Sequence, residues 1–156
     1  MNRLLLKLQT AVLAIGTAFA WFTLVGDYRR FFSAGGRVFE WSGCVVTNPL
    51  LTPCFYGALA FLAAFVWALV LLRSAPEAIA GRQRALNWLL AAGTVFAWGN
   101  FAYELFLYSQ QRSASAFSCP PRSEAVVNPL LTPCFYGALI FLTAFAISLL
   151  ILRTRR

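Results

Sequence analysis

Four cysteines are the side chains of this 156-residue chain best suited to chemistry, and their placement is regular. Cys54 follows Cys44 after nine intervening residues, and Cys134 follows Cys119 after fourteen. The later member of each pair lies inside one repeated motif. Asn48-Pro49-Leu50-Leu51-Thr52-Pro53-Cys54-Phe55-Tyr56-Gly57-Ala58-Leu59 returns unchanged 80 residues on, as Asn128 to Leu139. Residues 46–73 and 126–153 share 20 identities in 28 positions, which marks a duplicated unit. Two cysteines per unit fit disulfides in an oxidising compartment. Cys44–Cys54 and Cys119–Cys134 are the favoured pairings, although four cysteines allow three connectivities and the sequence does not choose among them. Closing loops of that length contributes roughly 2–3 kcal/mol by chain entropy.

The residues ahead of Cys54 and Cys134 describe how a helix begins. Thr52 and Thr132 are expected N-caps, whose hydroxyls accept from free backbone N–H groups. Pro53 and Pro133 suit the first helical position, where no N–H is needed. The prolines also hold Asn48 and Thr52 extended, so the approach is stiff. Cys54 and Cys134 then fall in the first turn, at the positive end of the helix dipole, where a thiolate is stabilised. Two readings follow: fixed ends of disulfides that staple loops to the helices, or redox-active thiols.

Other chemistry is sparse. The chain has no histidine, so the commonest haem and metal ligand and the usual general base are missing. The wide cysteine spacing does not suit zinc or an iron–sulfur cluster, and no metal is expected. Asp27 and Glu104 fall opposite one another when Gly16-Thr17-Ala18-Phe19-Ala20-Trp21 is aligned with Gly93-Thr94-Val95-Phe96-Ala97-Trp98, at an offset of 77. They are a candidate ion or proton site. The plainer account is an interfacial ion pair of Asp27 with Arg29 or Arg30. Tyr56, Tyr136, Phe55 and Phe135 suit an aromatic belt, and a ring-lined pocket for a quinone, carotenoid or lipid tail is the sharper alternative. Asn87 and Asn100 are expected to make interhelical hydrogen bonds.

The elements that must position these residues are membrane helices. Sixty per cent of the chain is hydrophobic and only 12% is charged, a balance foreign to a soluble domain of this size. Residues 53–72 and 133–152 are each twenty residues without a charge, long enough to cross about 30 Å of hydrocarbon. Residues 8–26 and 85–103 are two further, slightly more polar spans. The first is read as a retained helix, because Asp27-Tyr28-Arg29-Arg30 is no cleavage site. The expected fold is all-α: a polytopic membrane four-helix bundle of two tandem, parallel-oriented helical hairpins. The first hairpin occupies 1–75, a cytoplasmic linker 76–83, and the second hairpin 84–156. Gly16 with Ala20 and Gly93 with Ala97 allow close helix approach.

The net charge of +8 does not point to nucleic acid. Eight basic residues fall on the side of the termini and linker and five on the side of the two long loops. By the positive-inside rule both termini are cytoplasmic, most simply in a bacterial inner membrane with periplasmic loops. Expected partners are membrane lipid and either another membrane protein or a second copy.

This layout resembles the bacterial membrane thiol oxidoreductases that reoxidise periplasmic disulfide-forming proteins with quinone. The likeness covers topology and cysteine number; the Cys-x-x-Cys of that family is absent here. It implies that Cys44 and Cys54 lie near quinone, that Cys119 and Cys134 face a partner, and that Arg29 or Arg30 polarises a quinone carbonyl. Three functions are carried forward. The first is a non-enzymatic accessory or structural subunit with disulfide-stapled loops and no cofactor. The second is a quinone-linked thiol–disulfide oxidoreductase. The third is a small channel or transporter with its path on the pseudo-two-fold axis near Asp27 and Glu104.

Overall fold

Apolar runs bounded by proline become helices with sharp starts. The computed structural model describes residues 3–35, 48–111 and 129–154, and the regular structure among them is helical. The helices are α1 (Arg3–Ser33), α2 (Pro53–Leu72), α3 (Pro76–Gln111) and α4 (Pro133–Arg153), with 3-10 turns at Pro49–Leu51 and Pro129–Leu131. Of these, α1, α2 and α4 are long and apolar enough to cross a membrane. The starts of α2 and α4 fall at the two expected prolines. By contrast, α1 and α3 run well past the apolar stretches 8–26 and 85–103.

The segment 76–83, expected as a linker, is the beginning of α3. Pro76 is tolerated at a helix start, and Glu77 in the first turn complements the dipole. Gly81 costs about 1 kcal/mol inside a helix, which its alanine, isoleucine, arginine and glutamine neighbours offset. The connection to α2 is therefore only Arg73, Ser74 and Ala75. It is tied by Ser74 Oγ donating to the Val70 carbonyl at 2.7 Å, and by Trp67 Nε1 donating to the Arg82 carbonyl at 3.1 Å.

Helix α1 packs on α2 and α4, and α3 packs on α4 and α2. Every residue from 51 to 66 has the same degree of exposure as the residue 80 positions later. Ala58 and Ala138, Phe61 and Phe141, and Ala64 and Ala144 are buried pairs of this kind, as are Leu13 and Leu90 at the offset of 77. The glycines explain how the rings fit. A Cβ on Gly16 would lie 2.5 Å from the Phe61 ring, and one on Gly93 would lie 2.6 Å from the Phe141 ring. Only a residue without a side chain leaves that notch. Seated in these notches, Phe61 and Phe141 meet with centroids 3.9 Å apart and planes at 32°.

The outer surface is apolar. Phe22, Trp88 and Val95 are 80%, 76% and 74% exposed. In water such a surface would be an association site; against lipid tails it is matched. The residues that lower the hydropathy of α3 include Gln83, which is fully buried, whereas its outward Trp88, Val95 and Tyr103 remain apolar or amphipathic.

Candidate functional site

The repeated motif builds a rigid step before each cysteine. Asn48 is buried, and its Oδ1 accepts from the Leu50 N–H at 3.0 Å. The Leu51 and Thr52 N–H groups donate to the Asn48 and Pro49 carbonyls, closing the 3-10 turn. Thr52 then differs from expectation. Its backbone is extended as an N-cap requires, but its hydroxyl makes no cap bond and instead donates to the Pro49 carbonyl at 2.7 Å. Thr132 has the same extended backbone and likewise no side-chain cap bond. The 3-10 turn leaves a carbonyl within reach of Thr52, and donating to it fixes the turn to the helix. The Phe55 and Phe135 N–H groups donate to the Thr52 and Thr132 carbonyls, each at 3.1 Å. Pro53 and Pro133 occupy the first helical turn as expected.

These two steps bring Cys54 and Cys134 face to face. Both are free thiols, half-buried, and their Sγ atoms are 3.6 Å apart. A disulfide needs about 2.05 Å, so this is contact between two thiols, one donating to the other. Cys44 and Cys119, the expected partners, lie outside the described residues. Among the described residues the neighbour of the Cys54 sulfur is that of Cys134. The reason lies in the packing: α2 and α4 start at the same level, so equivalent residues face each other across the molecule.

Beneath the sulfurs is an apolar cleft of about 70 Å³. Its lining comes in sequence-equivalent pairs: Gly57 and Gly137, Phe19 and Phe96, and Phe61 and Phe141 at its base. Thr23 and Asn100, also equivalent, add the polar atoms. Asp27 and Glu104 complete the site. The charges of both act on Cys54, and that of Glu104 also acts on Cys134. The candidate ion or proton pair and the two helix-start cysteines therefore converge. Arg29 and Arg30 are exposed, and neither lines the cleft. Arg30 acts on Asp27.

The chemistry available is that of a dithiol. Two sulfurs in contact can lose two electrons and two protons to form a disulfide, and the neighbouring carboxylates can take up the protons. Among the described residues no group of three or more histidine, cysteine or acidic side chains is arranged to hold a metal. The tilted ring pair of Phe61 and Phe141 packs with the buried Leu13, Leu90, Ala64 and Ala144 in one hydrophobic core.

The sequence reading missed one buried cluster at the other end of the helices. Gln83 Nε2 donates to Gln9 Oε1 at 3.1 Å and to Ser148 Oγ at 3.0 Å, joining α3 to α1 and α4. None of the three is more than 1% exposed. Gln9 Nε2 and Gln83 Oε1 have no partner among the described residues, nor does Asn87 Oδ1. Gln83 was hidden by its place in the supposed linker. The available signal was an amide opposite a leucine, since Gln83 aligns with Leu6 and Gln9 with Leu86. The asparagines also differ from expectation. Asn100 donates to the Phe96 carbonyl of its own helix at 2.7 Å, and Asn87 makes no interhelical bond through its oxygen. Comparison of the chain with protein-family models, curated proteins and solved structures finds no match.

Proposed function

We propose that this chain is a four-helix membrane bundle of two parallel-oriented hairpins whose Cys54 and Cys134 form a thiol–disulfide redox centre linked to quinone. Helix α3 is the fourth span, with its amides turned inward and its lipid face kept apolar. The 3.6 Å contact between the two sulfurs carries the reading. In the step proposed, the two thiols are oxidised to one disulfide, and the two electrons and two protons reduce a quinone to its quinol. The apolar, aromatic cleft next to the sulfurs supports a ring-shaped, lipid-soluble acceptor. Glu104 and Asp27 support the proton side of the step. Cys44 and Cys119, in the loops that lead to the helix starts, supply electrons by thiol–disulfide exchange. Basic residues at the opposite end of the helices support a placement of the sulfur end on the extracytoplasmic side of a bacterial inner membrane.

A second reading rests on a different observation. The chain has no histidine, and among the described residues the side-chain charges that act on the sulfurs are the carboxylates of Asp27 and Glu104 rather than a cation. Under it the chain is an accessory subunit, and Cys54–Cys134 is a permanent latch. Reconstituted protein, supplied with a dithiol, separates the two. The redox reading expects reduction of a short-chain quinone above background, lost in Cys54→Ser and Cys134→Ser variants that keep their helical circular dichroism. Absence of quinone reduction by the unmodified protein, with a Cys54–Cys134 disulfide that resists glutathione, would overturn it in favour of the latch.

A further inference from the structure

A second cavity, of about 180 Å³, lies at the end of the molecule opposite the sulfurs. Arg3 and Lys7, one helical turn apart on α1, line it together with Ser74 of the α2–α3 connection. Leu6, Leu71 and Ile79 form its buried floor. Arg82 adds a third cation, since its Nη1 donates to Ser74 Oγ at 2.5 Å. Among the described residues none of these cations is in an ion pair with a carboxylate. The nearby acid in sequence is Glu77, which is exposed. Several unpaired cations around a polar mouth with an apolar base call for an anion that carries an apolar group.

We propose that the Arg3–Lys7–Ser74 cavity binds the phosphate ester group of an anionic ligand. Arg3, Lys7 and Arg82 neutralise the phosphate, the Ser74 hydroxyl orients it, and Leu71, Leu72 and Ile79 take the adjoining carbons. An anionic phospholipid headgroup is the source a membrane setting offers first, because basic pockets between helices recognise such groups. The site is independent of the thiol chemistry.

Native mass spectrometry of the full chain from mild detergent tests this, with phosphatidylglycerol, phosphatidylcholine and inorganic phosphate as probes. One phosphatidylglycerol should be retained in preference to phosphatidylcholine. Arg3→Gln with Lys7→Gln should weaken that retention roughly ten- to thirty-fold, at about 1 kcal/mol per basic residue. Ser74→Ala should weaken it less, and its thermal unfolding serves as the folding control. Arg84→Gln with Arg153→Gln removes the same charge outside the cavity and should leave retention unchanged. Displacement of the lipid by millimolar inorganic phosphate would support the phosphate site and assign it to a soluble ester; no displacement would support the lipid. Equal losses in the two double variants, or equal retention of both lipids, would overturn the proposal.

Discussion

The two ends of the helices treat the duplication in opposite ways. At the sulfur end, equivalent residues meet: Cys54 with Cys134, and Phe61 with Phe141. At the other end, the three buried side chains joined by hydrogen bonds each align with an apolar one. Gln9 aligns with Leu86, Gln83 with Leu6 and Ser148 with Ala68, and all six are buried. Where a pair of identical residues is what a site needs, the copies have stayed alike. Where the helices need one fixed arrangement, they differ, because an amide that finds a partner in only one alignment discriminates against exchange of the two hairpins. Polar groups are well suited to this in lipid, where an unpaired amide is costly in every wrong arrangement.

The largest effect expected from breaking the symmetric end is covalent. Oxidation to a Cys54–Cys134 disulfide closes an 80-residue loop, worth about 4–5 kcal/mol by chain entropy. That figure is an upper value, because an unfolded state in detergent retains structure. Thermal unfolding of the oxidised protein should shift upward relative to the reduced protein, and a Cys134→Ser variant should show no such difference. An identical shift in that variant would assign the effect to Cys44 or Cys119.

Next come the notches. Gly16→Ala drives a methyl into Phe61, and Gly93→Ala drives one into Phe141. Each ring is backed by the other, so neither moves freely, and a loss of about 1–3 kcal/mol is expected for each. Gly57→Ala, with open space around the added carbon, should be close to neutral by the same unfolding measurement.

The asymmetric end should respond more mildly, through its hydrogen bonds. Gln83→Leu copies the residue at the equivalent position. It removes two hydrogen bonds but also an orphaned carbonyl oxygen, for a net cost of about 1 kcal/mol or less. If exchange between hairpins is what the amides prevent, the variant should give a second set of amide resonances in its NMR spectrum. A single set would show that packing alone fixes the arrangement. The smallest effect belongs to Thr52→Val, which removes the bond to the Pro49 carbonyl at the surface step, for about 0.5–1 kcal/mol.

Much of this was legible in the letters because its cause is local. The starts of α2 and α4 follow from Pro53 and Pro133, and the crossing helices from runs of apolar residues. The candidate chemical residues were found by type and by alignment of the copies. Thr52 is the N-cap residue the letters indicate, but its hydroxyl bonds elsewhere, since the competing acceptor on Pro49 exists only once the 3-10 turn has formed. The linker at 76–83 misled because charge and glycine look like a loop until the burial of Gln83 is known.

By itself, the sequence determined four helices, their apolar surfaces and a cysteine in the first turn of two of them, since each depends on residues within a few turns of chain. That Cys54 faces Cys134, that Glu104 reaches them, and that Gln83 finds Gln9 and Ser148 were decided by tertiary structure alone. Those contacts join residues some 30–80 positions apart, and only the packing of α1 and α3 against α2 and α4 sets which atoms come within reach.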